Sequence, residues 1–154
     1  IKSSVTGIHY GTDQWKEFPK DWFEGLNIPR QVTSSTYRNN ENRYNVHCGG
    51  DLEMWESSGW ITSIDPYGWF QWYCRFFLGR RTSDDARQIS RGLGVIGPKG
   101  RWRNNLINKC LNSGLPLEKA VDDVSISPKV RQLLQHWGYQ LSLNHLKAAA
   151  KKVR

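Results

Sequence analysis

Residues 65–81, DPYGWFQWYCRFFLGRR, carry the densest structural signal in the chain. Asp65-Pro66 sets a capping residue ahead of a proline at a first helical position, and Gly79 supplies a C-terminal stop. Between them, Trp69, Trp72, Tyr73, Phe76 and Phe77 fall at i, i+3, i+4, i+7 and i+8, the spacing of one helix face. Phe70, Cys74 and Leu78 widen the apolar arc until only Gln71 and Arg75 point the other way. This predicts a central helix buried nearly all round. Arg75 must then find an acid or an anion, because an unpaired guanidinium out of water is costly; an Asp or Glu from elsewhere in the fold is the expected partner. Helical spacing also favours a core role for these rings over a stacking platform for bases or sugars.

Upstream, EFPKDWFEGL places Pro19 where it can open a short helix through Trp22 and Phe23, closed by Gly25, with Tyr10, Trp15 and Phe18 nearby. Residues 27–50 are rich in Asn, Ser, Thr and Arg without a period, and read as an irregular loop. DLEMWESS at 51–58 reads as a brief amphipathic helix stopped by Gly59. Downstream, Ser83 caps a helix over about 84–92, with Asp84 and Asp85 at the positive end of its dipole. Arg87 and Arg91 share one face of it, and Ala86 and Ile89 share the other. GLGVIGPKG forms a connector with four glycines and leads into RWRNNLINKCL. There Trp102, Leu106, Ile107 and Cys110 form the inner side, and Arg101, Asn104, Asn105, Asn108 and Lys109 the outer. Gly114 and Pro116 end it. Ser127-Pro128 caps a further helix with Val130, Leu133, Leu134 and Trp137 inward, and a last one from about Ser142 carries Leu146, Ala149 and Val153. The expected fold is mainly α: one compact multi-helix domain over 1–154, with an aromatic-rich central helix, an irregular N-terminal segment, a basic helical region at 75–109 and C-terminal helices over about 127–153.

Size and composition agree with a single folded unit. The chain has 154 residues and 38% hydrophobic content, with eight Trp, six Tyr and five Phe, enough bulk to offset the entropy of ordering. No apolar run reaches the roughly 18 residues that a membrane span needs. There is no signal peptide, and Ile1 in place of Met points to missing upstream sequence. Cys48, Cys74 and Cys110 cannot complete a disulfide framework and none sits in a CxxC pair, which suits an intracellular protein, the nucleus included. A zinc site from His47, Cys48, Cys74 and Cys110 matches no familiar finger spacing. No metal and no cofactor are expected.

The net charge of +8 is unevenly spread. Residues 1–70 hold six basic and nine acidic side chains, residues 71–110 nine and two, and residues 111–154 seven and three. The middle segment is dominated by Arg, which grips phosphate in a bidentate fork, so a polyanion is the expected partner. The candidate contacts to DNA or RNA are Arg80, Arg81, Arg87, Arg91, Lys99, Arg101 and Arg103 at phosphates, with Asn104, Asn105 and Asn108 nearest the bases; Arg75 and Gly100 belong to the same set. Residues 84–92 and 101–111 resemble a loose helix-turn-helix whose connector is longer than the usual three to four residues. The GxxG of Gly97-Pro98-Lys99-Gly100 resembles that of KH domains, but the strands that fold requires are absent from the pattern.

Catalytic constellations are thin: there is no P-loop, HExxH, GxSxG or EF-hand pattern. Asp51, Glu53 and Glu56, and the pair Asp84 and Asp85, read as N-terminal acids of helices before they read as metal ligands. His136 reads as structural, and His9, His47 and His145 have no visible partners. The function expected is non-enzymatic nucleic-acid binding. The alternatives are an enzyme acting on nucleic acid, whose aromatic cluster lines a pocket for an unpaired base, and an interaction module whose basic face meets an acidic protein.

EFPKDWF at 17–23, DPYGWFQWYCRFFLGRR at 65–81 and DDARQISR at 84–91 together resemble the signature of an uncharacterised family represented in fungi, plants, algae and large viruses. The resemblance spans most of the chain and implies a recurring compact module, but it brings no activity with it. Gly92 stands where similar proteins carry Trp, which implies looser packing at that helix end.

Overall fold

A computed structural model describes residues 12–50 and 52–153, so His9, Tyr10 and Asp51 lie outside the described residues. The fold is mainly α. Seven α-helices are present among the described residues: α1 Leu52–Ser57, α2 Trp69–Phe77, α3 Asp85–Ile96, α4 Arg101–Leu111, α5 Leu117–Ala120, α6 Pro128–His136 and α7 Leu143–Val153. Short 3₁₀ turns at Gln14–Glu17, Lys20–Phe23 and Asn39–Glu41 and a π turn at Ile28–Val32 precede them. The only strand-like pairing among the described residues is one antiparallel bridge between Thr62 and Asp65. No helix there is long and apolar enough to cross a membrane.

Internal contacts group the chain into two compact units. The first comprises residues 1–41 and 50–81, the second residues 42–49 and 82–154.

In the first unit, α2 is the organiser, with Trp69, Trp72 and Cys74 buried; Ile61 before it is buried as well. Trp69 stacks on Tyr73 at 5.1 Å, and Trp72 meets Phe76 at 5.0 Å. The helix starts three residues later than Asp65-Pro66 predicts. Asp65 does not cap it; its carboxylate is 1% exposed and receives Arg75 and Arg80 instead. The cap is Gly68, at φ +89°, a backbone conformation that favours glycine. The expected polar face is also reversed. Gln71 is buried, whereas Phe70 and Phe77 are 51% and 71% exposed. Gly79, at φ +101°, closes the helix as expected. The turn Lys20–Phe23 follows Pro19 and ends near Gly25 at φ +77°, again as the sequence suggests.

In the second unit, α4 is the hub, packed against α3, α5, α6 and α7. Leu106, Ile107 and Cys110 from α4 join Ala120, Val121, Val130, Leu134, Leu141 and Leu146 in one core, with Trp102 partly buried against it. Inside this apolar set lies Arg131, 5% exposed. Its guanidinium donates to the carbonyls of Ala120, Val121 and Ile126 at 3.0, 2.7 and 2.9 Å, satisfying orphan carbonyls at and beyond the end of α5. The irregular stretch 42–49 is tied in by Tyr44 N–H donating to Gln132 Oε1 (3.3 Å) and Arg43 donating to Gln140 (3.0 Å).

Two helix boundaries differ from expectation. Asp84, not Ser83, occupies the cap of α3, and the turn before it is held by Asp85 accepting from Thr82 N–H at 2.8 Å and from its hydroxyl at 3.1 Å. At its other end α3 runs on to Ile96 through Gly92 and Gly94, because Val95 and Ile96 pack against the core and offset the glycines' poor propensity, about 1 kcal/mol each. Ser127 does precede α6, but in a left-handed conformation and without a side-chain capping bond.

Candidate nucleic-acid interface

Gly97-Pro98-Lys99-Gly100 alone connects α3 to α4. The longer connector expected from the sequence is thus reduced to four residues, and α3 and α4 form a tight helical hairpin. Gly97 N–H donates to Leu93 O at 3.0 Å and Gly100 N–H to Gly97 O at 2.8 Å. A Cβ on Gly97 would lie 2.5 Å from Leu93 O, and one on Gly100 2.5 Å from Val95 O. Both glycines are therefore set by backbone packed on backbone. Asn104 braces the connector by donating to Pro98 O at 3.3 Å. Gly100 is the cap of α4 and offers no side chain to its first N–H groups.

The candidate residues divide between the units. Arg75, Arg80 and Arg81 belong to the first, and there their charges are already engaged. Arg75 donates to Glu17 Oε2 (2.8 Å), Glu17 Oε1 (3.1 Å), Asp65 Oδ1 (2.9 Å) and the Ile64 carbonyl (2.9 Å). Burial opposes its charged form, but the hydrogen bonds to Glu17 and Asp65 outweigh that and hold its pKa above the usual arginine value. The expected acid partner of Arg75 is thus present twice over. Arg80 donates to Asp65 Oδ2 at 2.5 Å. Arg81 lies over the Phe76 ring at 3.8 Å and donates to the carbonyls of Phe76 and Arg80. The charges of Arg75 and Arg80 are thus engaged by carboxylates within the first unit.

The remaining nine lie on α3, its connector and α4. Arg87 forms a two-pronged pair with Asp84 (2.5 and 2.8 Å), a bond that holds the Asp84 carboxyl below its usual pKa. It too is neutralised. Arg91 lies over Trp137 at 5.8 Å and donates to Gln88 Oε1 at 3.0 Å; burial first, and then the neighbouring Arg87, pull its pKa down. Arg103 sits over Tyr139 at 5.4 Å, half-buried, with its Nε unpartnered. Lys99, Arg101, Asn108 and Lys109 are exposed, Arg101 lying over the Trp102 ring at 5.2 Å. Asn105 is partly buried, with an Oδ1 that has no partner. Among the described residues, no carboxylate lies within 4.0 Å of Lys99, Arg101, Arg103 or Lys109. Lys109 was not singled out from sequence as a contact, although its place eight residues after Arg101 puts it on the same helical face.

The two units differ in charge. The first unit carries eight basic and nine acidic residues, net −1; the second carries fourteen and five, net +9. Residues 86–117 contain six cations and no acid. No group of three or more His, Cys, Asp or Glu is arranged to hold a metal among the described residues. Comparison with protein-family models, with curated proteins and with solved structures returns no match for this chain.

Proposed function

We propose that the second unit binds nucleic acid, DNA or RNA, without catalysis, through the α3–α4 hairpin. The observation that carries the reading is the acid-free stretch 86–117, in which the exposed Lys99, Arg101 and Lys109 have no carboxylate within 4.0 Å among the described residues. Such charge is available to phosphates, and its release of condensed counterions is a favourable, salt-sensitive source of affinity. Lys99 and Arg101 flank the open N-terminus of α4, where backbone N–H groups add to the attraction for an anion. Asn108 and Lys109 extend the exposed face about two turns along α4, within reach of the next nucleotides. Arg91 and Arg103, held over aromatic rings, contribute field more than direct contacts.

The test is a titration of the protein with duplex and single-stranded oligonucleotides at several salt concentrations. Micromolar binding at low salt that weakens linearly in log–log form supports the reading. Absence of binding, or binding that ignores salt, removes it.

A further inference from the structure

We infer that the first unit holds a second site, an aromatic cavity that takes a nucleobase. This goes beyond the hairpin reading and rests on different residues. The cavity is a cleft of about 810 Å³ that opens to solvent, walled by eight aromatic side chains, among them Trp15, Phe18, Trp22, Phe70, Tyr73 and Phe77. That volume lies within the usual range for a small-molecule pocket. Phe18 and Trp22 lie nearly parallel (5.7 Å, 14°), and Trp22 meets Phe77 at 6.0 Å. Trp22, Phe70 and Phe77 are 38%, 51% and 71% exposed, so a substantial ring surface faces water. A core helix has no need of this.

The polar groups select the occupant. Glu17 lines the cavity, but its carboxylate accepts twice from Arg75 and once from Gln71 Nε2 at 3.0 Å. Gln71 in turn accepts from Tyr67 N–H at 2.9 Å. The charges of this wall are thus mutually satisfied, which leaves no partner for an ammonium, a free carboxylate or a phosphate. A sugar, with hydroxyls around its whole rim, would leave most of them unpaired. The lining polar groups that have no partner among the described residues include the Thr12 hydroxyl and the Gln14 amide. Flat apolar faces with one hydrogen-bonding edge match that distribution, and a purine or pyrimidine has that form. The base can arrive as a free nucleoside or as an unpaired base within a strand.

Adenosine and uridine, uncharged probes, are titrated against the full chain at 0.3 M salt, where backbone attraction is screened, with binding followed by protein-observed NMR or calorimetry. The expected result is saturable binding that weakens about tenfold in Trp22→Ala and in Phe77→Ala, since base stacking on one ring contributes a factor of that order. Both side chains are exposed enough to be replaced without unfolding the unit. Lys99→Ala/Arg101→Ala should leave this binding unchanged, so the two sites fail or stand separately. A single strand that competes with adenosine while its abasic counterpart does not assigns the source to a strand; adenosine binding without such competition assigns it to free nucleosides. No saturable nucleoside binding, undiminished binding in both ring variants, or tighter binding of glucose or tyrosine than of adenosine would overturn the inference.

Discussion

The exposed pair Lys99 and Arg101 offers the sharpest quantitative test of the hairpin. Each flanks Gly100, and neither has a carboxylate within 4.0 Å among the described residues. For duplex DNA the logarithm of the binding constant falls with the logarithm of salt by about 0.9 per neutralised phosphate, so removing two contacts should flatten the slope by about 1.8. Because that contribution vanishes near 1 M salt, each contact adds about 0.7 log units at 0.15 M, and the double variant Lys99→Ala/Arg101→Ala should bind roughly 30-fold more weakly there. The assay is fluorescence anisotropy with a labelled duplex of fixed sequence at five salt concentrations. Lys16→Ala is the control, because Lys16 in the first unit is paired with Asp13 at 2.6 Å. Its slope should match the parent protein. An unchanged slope in the double variant, or an equal loss in Lys16→Ala, would show that charge acts through the whole molecule and not through this hairpin.

Other consequences follow from single contacts. Asp65→Ala leaves Arg75 with Glu17 but takes from Arg80 its carboxylate partner and opens a buried void, and should cost about 3 kcal/mol in chemical denaturation. Gly100→Ala forces a Cβ against the Val95 carbonyl and should destabilise by about 1–3 kcal/mol while weakening oligonucleotide binding. Gly94→Ala, where a Cβ meets nothing within 4 Å, should instead stabilise by about 0.5–1 kcal/mol; thermal melts of the pair distinguish a fitted glycine from a merely tolerated one. Tyr44 N–H fixes the Gln132 amide so that its nitrogen faces His136 Nε2 at 2.9 Å, which makes that ring nitrogen the acceptor. Burial likewise holds the imidazole below its usual pKa of 6.5, so the unfolded chain binds the proton more readily. Melting temperature should therefore fall as pH drops through about 6.5, levelling below the folded-state value, and His136→Gln should flatten that part of the profile.

Periodicity made the helices of the second unit legible. RWRNNLINKCL appears as α4 with the expected inner face, and Leu134 and Leu146 are in the core as spacing implies. Where local rules failed, long-range partners had intervened. Asp65-Pro66 has the form of a helix start, but capping is worth only about 1 kcal/mol, and two arginines on one buried carboxylate outweigh it. Gly92 and Gly94 look like the end of α3, but docking of Val95 and Ile96 carries the helix past them. Arg131 could not be foreseen at all. Its position on α6 looks like surface, and the carbonyls that accept its donors come from a four-residue helix and the turn beyond it, both without a periodic signature.

Where a cation stands along the chain does not decide whether it is available to a ligand. Nine cations within 71–110 form a single block along the chain, but a cation is available to a ligand only where the fold offers it no acid. The first unit has acids in slight excess, and Arg75 and Arg80 are consumed by Glu17 and Asp65. In the second unit the acids that bound residues 86–117 are Asp85, at the first turn of α3 and accepting from Thr82, and Glu118, paired with Lys147. Lys99, Arg101 and Lys109 are left over by this pairing, and Arg87 is not, because Asp84 lies three residues before it on the same helical turn. Adding a negative charge to this face should therefore matter more than removing an amide: Asn108→Asp puts an acid on the exposed part of α4 next to Lys109 in sequence, where no acid stands. It should lower oligonucleotide affinity beyond what Asn108→Ala does, by repelling phosphate. Equal losses from the two substitutions would mean that no phosphate passes close enough to position 108 to be repelled by an added charge.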